Sequence, residues 1–99
     1  LAFKKELEQF DITFEILAEK SPKHKDTRDR AIRIGYRVSD DGVLIEKVYE
    51  KKRLPIRDIS RKFEITEKIL KRSKVFILST SVLFFKKYTN LIVWIKGVK

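Results

Sequence analysis

Between Lys51 and Val75 the chain carries ten lysines and arginines against three acids, a net charge of +7. Four of these cations, Lys68, Lys71, Arg72 and Lys74, follow Thr66 and Glu67, and at helical spacing Glu67, Lys68, Lys71 and Lys74 share one side. Lysine and arginine on such a face can neutralise phosphates and donate to guanine O6 and N7, while a glutamate can accept from cytosine N4. Ile69, Leu70, Ser73, Phe76 and Ile77 fall on the other side, which predicts a wet basic face backed by an apolar one. Arg57 and Arg61, on a shorter helical segment upstream, suit contacts to a phosphate backbone better than contacts to bases. Lys23, His24 and Lys25 stand at the start of an earlier helix, where free amides also favour an anion; a lone histidine there is otherwise a solvated or capping residue.

Other chemistries find little support. With no cysteine and one histidine, the chain offers no disulfide, no thiolate nucleophile and no set of ligands for zinc. Asp40 and Asp41 lie in a turn without a histidine or cysteine partner, and no glycine-rich phosphate loop is present. The reading is therefore no enzyme, no catalytic residue, no metal, no cofactor and no small-molecule substrate. Leu1 to Phe10 mixes Lys4, Lys5, Glu6 and Glu8 into what an export signal would keep apolar, so a cytoplasmic location is expected. Val75 to Phe85 is apolar for 11 residues before Lys86 and Lys87, short of the roughly 20 a membrane span needs. It reads as a buried helix and not as a membrane insertion.

The elements that must hold these residues fit one helical domain over the 99 residues. The absence of methionine and the start at Leu1 suggest a piece of a longer protein. Phe3, Leu7 and Phe10, then Ile12, Phe14, Ile16 and Leu17, predict a helical arm over 1–20, broken near Asp11. Ser21 and Pro22 read as a helix entry, followed by two helices over 22–53, the first from about Pro22 or His24 to Val38 and the second following the turn Ser39 to Gly42. Leu54 and Pro55 end that pair, and 55–85 has the outline of a helix-turn-helix: a short helix to Phe63, a bend, Thr66 as N-cap, and a long second helix. An ordinary helical hairpin shares that outline. A closing helix over 88–98 carries Tyr88 and Trp94, apart from the basic residues, unlike a stacking platform for single strands. The fold class is all-α, a small multi-helix domain containing a helix-turn-helix.

Charge is segregated. Residues 1–50 hold 10 basic and 11 acidic side chains, whereas 76–99 hold 4 and none, so the C-terminal half carries the whole excess of +10. Such a surface suits a polyanion, although solubility alone also accounts for net charge.

The run KRLPIRDISRKFEITEKILKRSKVFILSTSVL, Lys52 to Leu83, resembles the C-terminal domain of the sigma-I family of alternative RNA polymerase sigma factors of Gram-positive bacteria. SPKHKDTRDRA, Ser21 to Ala31, and KELEQFDITFEIL are similar to segments that precede that module in the family, so the resemblance covers nearly the whole chain. It implies a domain that reads the minus-35 element of duplex promoter DNA during transcription initiation. It also implies RNA polymerase core as a partner and a cognate membrane-anchored anti-sigma factor. Carried over by position, the start of the recognition helix is Thr66, Glu67, Lys68, Lys71, Arg72, Ser73 and Lys74. Glu67 departs from the basic residue many members have there, and Lys71 from the acid of several, so the charge order of the reading face is altered. Two functional readings stand together: sequence-specific duplex binding through the face around Lys68 and Lys71, or a protein-interaction module, docked on polymerase or held by an anti-sigma factor through apolar residues around Phe84, Phe85 and Tyr88, with non-specific DNA contacts. A free-standing repressor, which needs a dimer to reach two half-sites, is a weaker third.

Overall fold

The computed structural model describes residues 2–87, which hold seven helices and no strand. The helices are α1 (Ala2–Glu8), α2 (Phe14–Lys20), α3 (Lys25–Ser39), α4 (Gly42–Lys51), α5 (Ile56–Phe63), α6 (Glu67–Arg72) and α7 (Lys74–Phe85). The closing helix proposed for 88–98 lies outside the described residues.

The most apolar stretch of the sequence takes the centre. Every residue of α7 from Phe76 to Leu83 is buried, as a helix without a polar face must be. No helix among the described residues is long and apolar enough to cross a membrane. Around α7 each neighbour contributes one stripe: Phe3 and Leu7 from α1, Leu17 from α2, Ala31, Ile32, Ile34 and Val38 from α3, Leu44, Ile45 and Val48 from α4.

The arm over 1–20 breaks where the apolar pattern changes phase. Asp11 turns the chain with φ 60°, Phe10 and Ile12 on either side stay buried, and the Thr13 hydroxyl starts α2 by accepting from the Ile16 amide at 3.1 Å. The next helix begins at Lys25, at the later of the two expected starts, with Ser21 and Pro22 lying before it. Ser21 ends α2 instead, its hydroxyl donating to the Leu17 carbonyl at 2.6 Å, and His24 occupies the N-cap of α3 without a side-chain cap bond.

The long second helix expected from Glu67 onward is two helices. Ser73, at φ −117° and ψ 25°, separates α6 from α7, and the Ile77 amide returns to the Ser73 carbonyl at 2.8 Å to start α7 afresh. A straight helix over 67–85 would run about 28 Å. The break falls where the chain passes from α6, wet on one side, to α7, buried from Phe76 to Leu83.

Where α3 crosses α7, Gly35 leaves no room for a side chain. A Cβ there would lie 2.0 Å from Thr80 Oγ1, 2.9 Å from Thr80 Cβ and 3.2 Å from the Ile77 carbonyl oxygen. Gly35→Ala gains helix propensity of about 0.5–1 kcal/mol, but overpacking typically costs about 1–3 kcal/mol, so the clash decides the sign. Gly35→Ala should lower the urea midpoint, and adding Thr80→Ala, which removes the nearest atom, should restore part of it. A Gly35→Ala chain as stable as wild type would contradict this crossing.

Asp41 ties the layers together. One carboxylate oxygen accepts from the Leu44 amide at 3.0 Å and starts α4, while the other pairs with Lys62 of α5. The Lys62 ammonium first, and the Leu44 amide second, hold its carboxyl below the usual 3.8. Because the native value is depressed, this contribution is complete above the unfolded-state value and is lost as pH falls through the native one. Asp41→Asn, which keeps an N-cap acceptor but not the charge, should be less stable than wild type at neutral pH. The gap should close below about pH 4 in unfolding curves taken across pH; a gap independent of pH would mean that the charge contributes nothing.

Candidate nucleic-acid interface

The turn between α5 and α6 lacks glycine. Glu64 takes its place, with φ 55° in the left-handed region, and its amide donates to the Ser60 carbonyl. Such a conformation costs a non-glycine residue roughly 1–2 kcal/mol, which packing around the turn offsets: Ile59 and Leu70 are fully buried, Phe63 and Ile65 partly so. Three contacts fasten α5 to the earlier helices. Lys62 meets Asp41, Lys47 Nζ lies 2.9 Å from Asp58 Oδ2, and the Arg37 guanidinium sits 4.0 Å over the Phe63 ring. Lys47 lowers the Asp58 carboxyl pKa by its hydrogen bond and charge. Each exposed pair adds little alone, but together they fix the orientation of α5 and, through it, α6.

On α6 the sequence pattern is reproduced almost residue by residue. Leu70 is fully buried and Ile69 partly, while Glu67, Lys68, Lys71 and Arg72 are exposed, as is Lys74 just beyond the break. Thr66 is the N-cap by backbone conformation and is exposed, yet its hydroxyl makes no capping bond. Ser73 is displaced from this face: at 6% exposure it belongs to the interior. Glu67 Oε1 and Lys71 Nζ are 3.7 Å apart, a loose pair one turn apart on the exposed side. Lys68, Arg72 and Lys74, like the exposed Arg57 and Arg61 of α5, have no carboxylate within ion-pair distance among the described residues.

The third cationic group is brought towards α6. Lys23 and His24 share a groove with Arg72 and Ser73, although the two pairs are far apart in sequence. Lys25 faces elsewhere in charge terms: its ammonium is 2.7 Å from Asp29 Oδ2 and lowers the Asp29 pKa, chiefly by that hydrogen bond. Lys20 and Thr27 were not singled out by sequence, and Arg30 reads there only as part of a solvated, salt-laced helix face with Asp26 and Asp29, yet each lines a groove beside Arg72. The one signal that could have found Lys20 is its place at the head of the basic segment Lys20 to Lys25. Among the described residues no group of three histidines or carboxylates could hold a metal ion.

No protein-family model matches the chain. It is nevertheless 34% identical to the RNA polymerase sigma factor SigI of Bacillus anthracis over 99 residues, all of this chain and 41% of that protein. It is 31% identical over 97 residues to SigI3 of Acetivibrio thermocellus, 98% of this chain and 39% of the relative. With SigI of Bacillus subtilis it shares 30% identity over 98 residues, 99% of this chain and 39% of the relative. Along its whole length, then, the chain has sigma factors as homologues. It is homologous to the C-terminal part of the SigI sigma factors and spans about two fifths of their length.

Proposed function

We propose that this chain is the promoter-reading domain of an alternative sigma factor, acting in transcription initiation by binding the minus-35 element of duplex DNA. The observation that carries the reading is the exposed face of α6: Lys68 and Arg72, with Lys74 at the start of α7, have no carboxylate partner among the described residues, while Leu70 anchors α6 from behind. The sigma-factor homologues support the same reading. In this account Lys68 and Lys71 meet base edges, with Thr66 and Glu67 at the helix start, and Arg72, Lys74, Arg57 and Arg61 meet phosphates. RNA polymerase core and a cognate membrane-anchored anti-sigma factor are the protein partners, and the cytoplasm is the place of action. The domain binds and positions; it performs no reaction. A single small module makes few contacts, so its own affinity is weak and strongly salt-dependent, and the polymerase complex supplies the rest by effective concentration.

A second reading, a protein-interaction module with only non-specific DNA contacts, is favoured by exposed apolar side chains: Tyr36 at 54%, Val43 at 63% and Phe85 at 44%. Phe84 is partly buried against the Tyr36 ring, 5.3 Å between centroids; Tyr88 lies outside the described residues.

Selection of duplexes from a randomised pool separates the two. The wild-type chain should yield one motif, and Lys68→Ala with Lys71→Ala should lose it; sequence-blind binding by wild type would make the interaction module the better account. Exchanging Glu67 and Lys71 moves an acceptor to the place of a donor without changing net charge, so the selected bases should change. An unaltered motif would show that these two side chains do not read bases.

A further inference from the structure

The segment joining α2 to α3 and the junction of α6 with α7 enclose a groove of about 240 Å3, whose walls include Lys20, Lys23, His24, Thr27, Arg72 and Ser73. No carboxylate lines it. Thr27, Arg72 and Ser73 continue into a smaller recess, where Arg30 adds a further cation. The first turn of the 15-residue α3 opens at the same place. His24 provides no side-chain cap, and the Arg28 amide makes the first intrahelical bond, to the His24 carbonyl, so the amides of Lys25, Asp26 and Thr27 precede the ladder.

Cations beside a helix start are common on protein surfaces, but Ser73 is a separate observation. It is 6% exposed, and its hydroxyl has no hydrogen-bond partner among the described residues although the residue lines both recesses. The Ser73 Oγ is not one of the fully buried polar atoms that lack a partner among the described residues, which are Arg28 Nε and Ser79 Oγ, so the little exposure the residue keeps leaves its hydroxyl open to the groove. A hydroxyl that is open to a cationic groove lined by no carboxylate, and that has no partner among the described residues, is free to donate to an acceptor that enters the groove.

We propose that this groove seats one backbone phosphate of a nucleic acid, beside the bases that α6 meets. The inference rests on the duplex-binding reading above and adds to it a clamp outside the helix-turn-helix. The Ser73 hydroxyl and the leading amides of α3 donate to the phosphate oxygens, and Lys20, Lys23 and Arg72 neutralise the charge. Ser73 thus acts from within the interior, at the break between α6 and α7, and α3 is coupled to the same ligand as α6.

The test uses the 99-residue chain and a series of duplexes, each with one phosphate replaced by an uncharged methylphosphonate. The variants are Lys20→Gln with Lys23→Gln, and Ser73→Ala. One position flanking the read bases should weaken wild-type binding roughly tenfold, as loss of a hydrogen bond to a charged group does, and should have little further effect on either variant. The lysine variant should also flatten the dependence of log affinity on log salt by about 0.9 per lost contact. Since the Ser73 hydroxyl has no partner to lose, Ser73→Ala should keep its unfolding midpoint, which separates lost binding from lost folding. Identical methylphosphonate profiles and salt slopes for wild type and variants would overturn the seat. Amide shifts of Lys25 to Thr27 with inorganic phosphate, but none with duplex, would also overturn it and give the groove to a free anion. Failure of the wild type to select a motif would count against base reading by α6 alone, because the salt comparison still reports on the seat with any duplex.

Discussion

The crossing of α3 over α7 at Gly35 and Thr80 is the constraint from which the remaining geometry follows. Two helices can approach this closely only where both side chains are small, and α7 supplies Ser79, Thr80 and Ser81 at its middle. Three polar residues in the centre of a core are tolerated because two of them bond within their own helix. The Thr80 hydroxyl donates to the Ile77 carbonyl at 3.0 Å and Ser81 to the Leu78 carbonyl at 2.7 Å, leaving the Ser79 hydroxyl alone of the three without a partner. With α3 and α7 locked, α1, α2 and α4 complete the shell around α7, and α5 is left to be held by α3, α4 and α6.

That arrangement divides the basic residues into two working groups. Lys62 and Lys47 are consumed in joints between α5 and the acidic N-terminal half, and Arg37 lies on the Phe63 ring. Lys52 and Lys86 are drawn to aromatic faces around Tyr49 and Phe10, and Lys52 also donates to Gln9. Among the described residues Lys68 and Arg72 of α6, the two arginines of α5 and the lysines around the Ser73 groove have no such partner, and Lys71 has only its loose pair with Glu67. The segregation of charge along the sequence is therefore a coarse version of a finer division in space, in which Asp41 and Asp58 brace the fold while Glu67 is the one acid on the exposed side of α6.

Much of this was legible before the fold was seen. Asp11 broke the arm, Leu54 and Pro55 opened the helix-turn-helix, and the alternation of Leu70 with Lys68 and Lys71 marked the inner and outer sides of α6, because amphipathic period and chain-breaking residues act locally. The break at Ser73 was not legible, since the apolar period runs on through Phe76 and Ile77 and no glycine or proline marks the place. Ser21 misled as a cap: a hydroxyl before proline suits a helix start, but the same hydroxyl reached back to Leu17. The pairing of Lys20 and Lys23 with Arg72, and the close approach at Gly35, depend on contacts between distant segments that no local pattern encodes.

The separation of α6 from α7 has a consequence for how such a protein can change over generations. The six residues of α6 are tied to the core mainly through one fully buried side chain, Leu70, and none of the exposed charged residues takes part in the crossing that holds the domain together. Substitutions on the outer side of α6 are thus nearly silent for folding, whatever they do to recognition. A gene carrying this domain could be duplicated and its copies drift to new targets without passing through an unfolded ancestor. The interior would stay under purifying pressure while the outer face of one short helix varied.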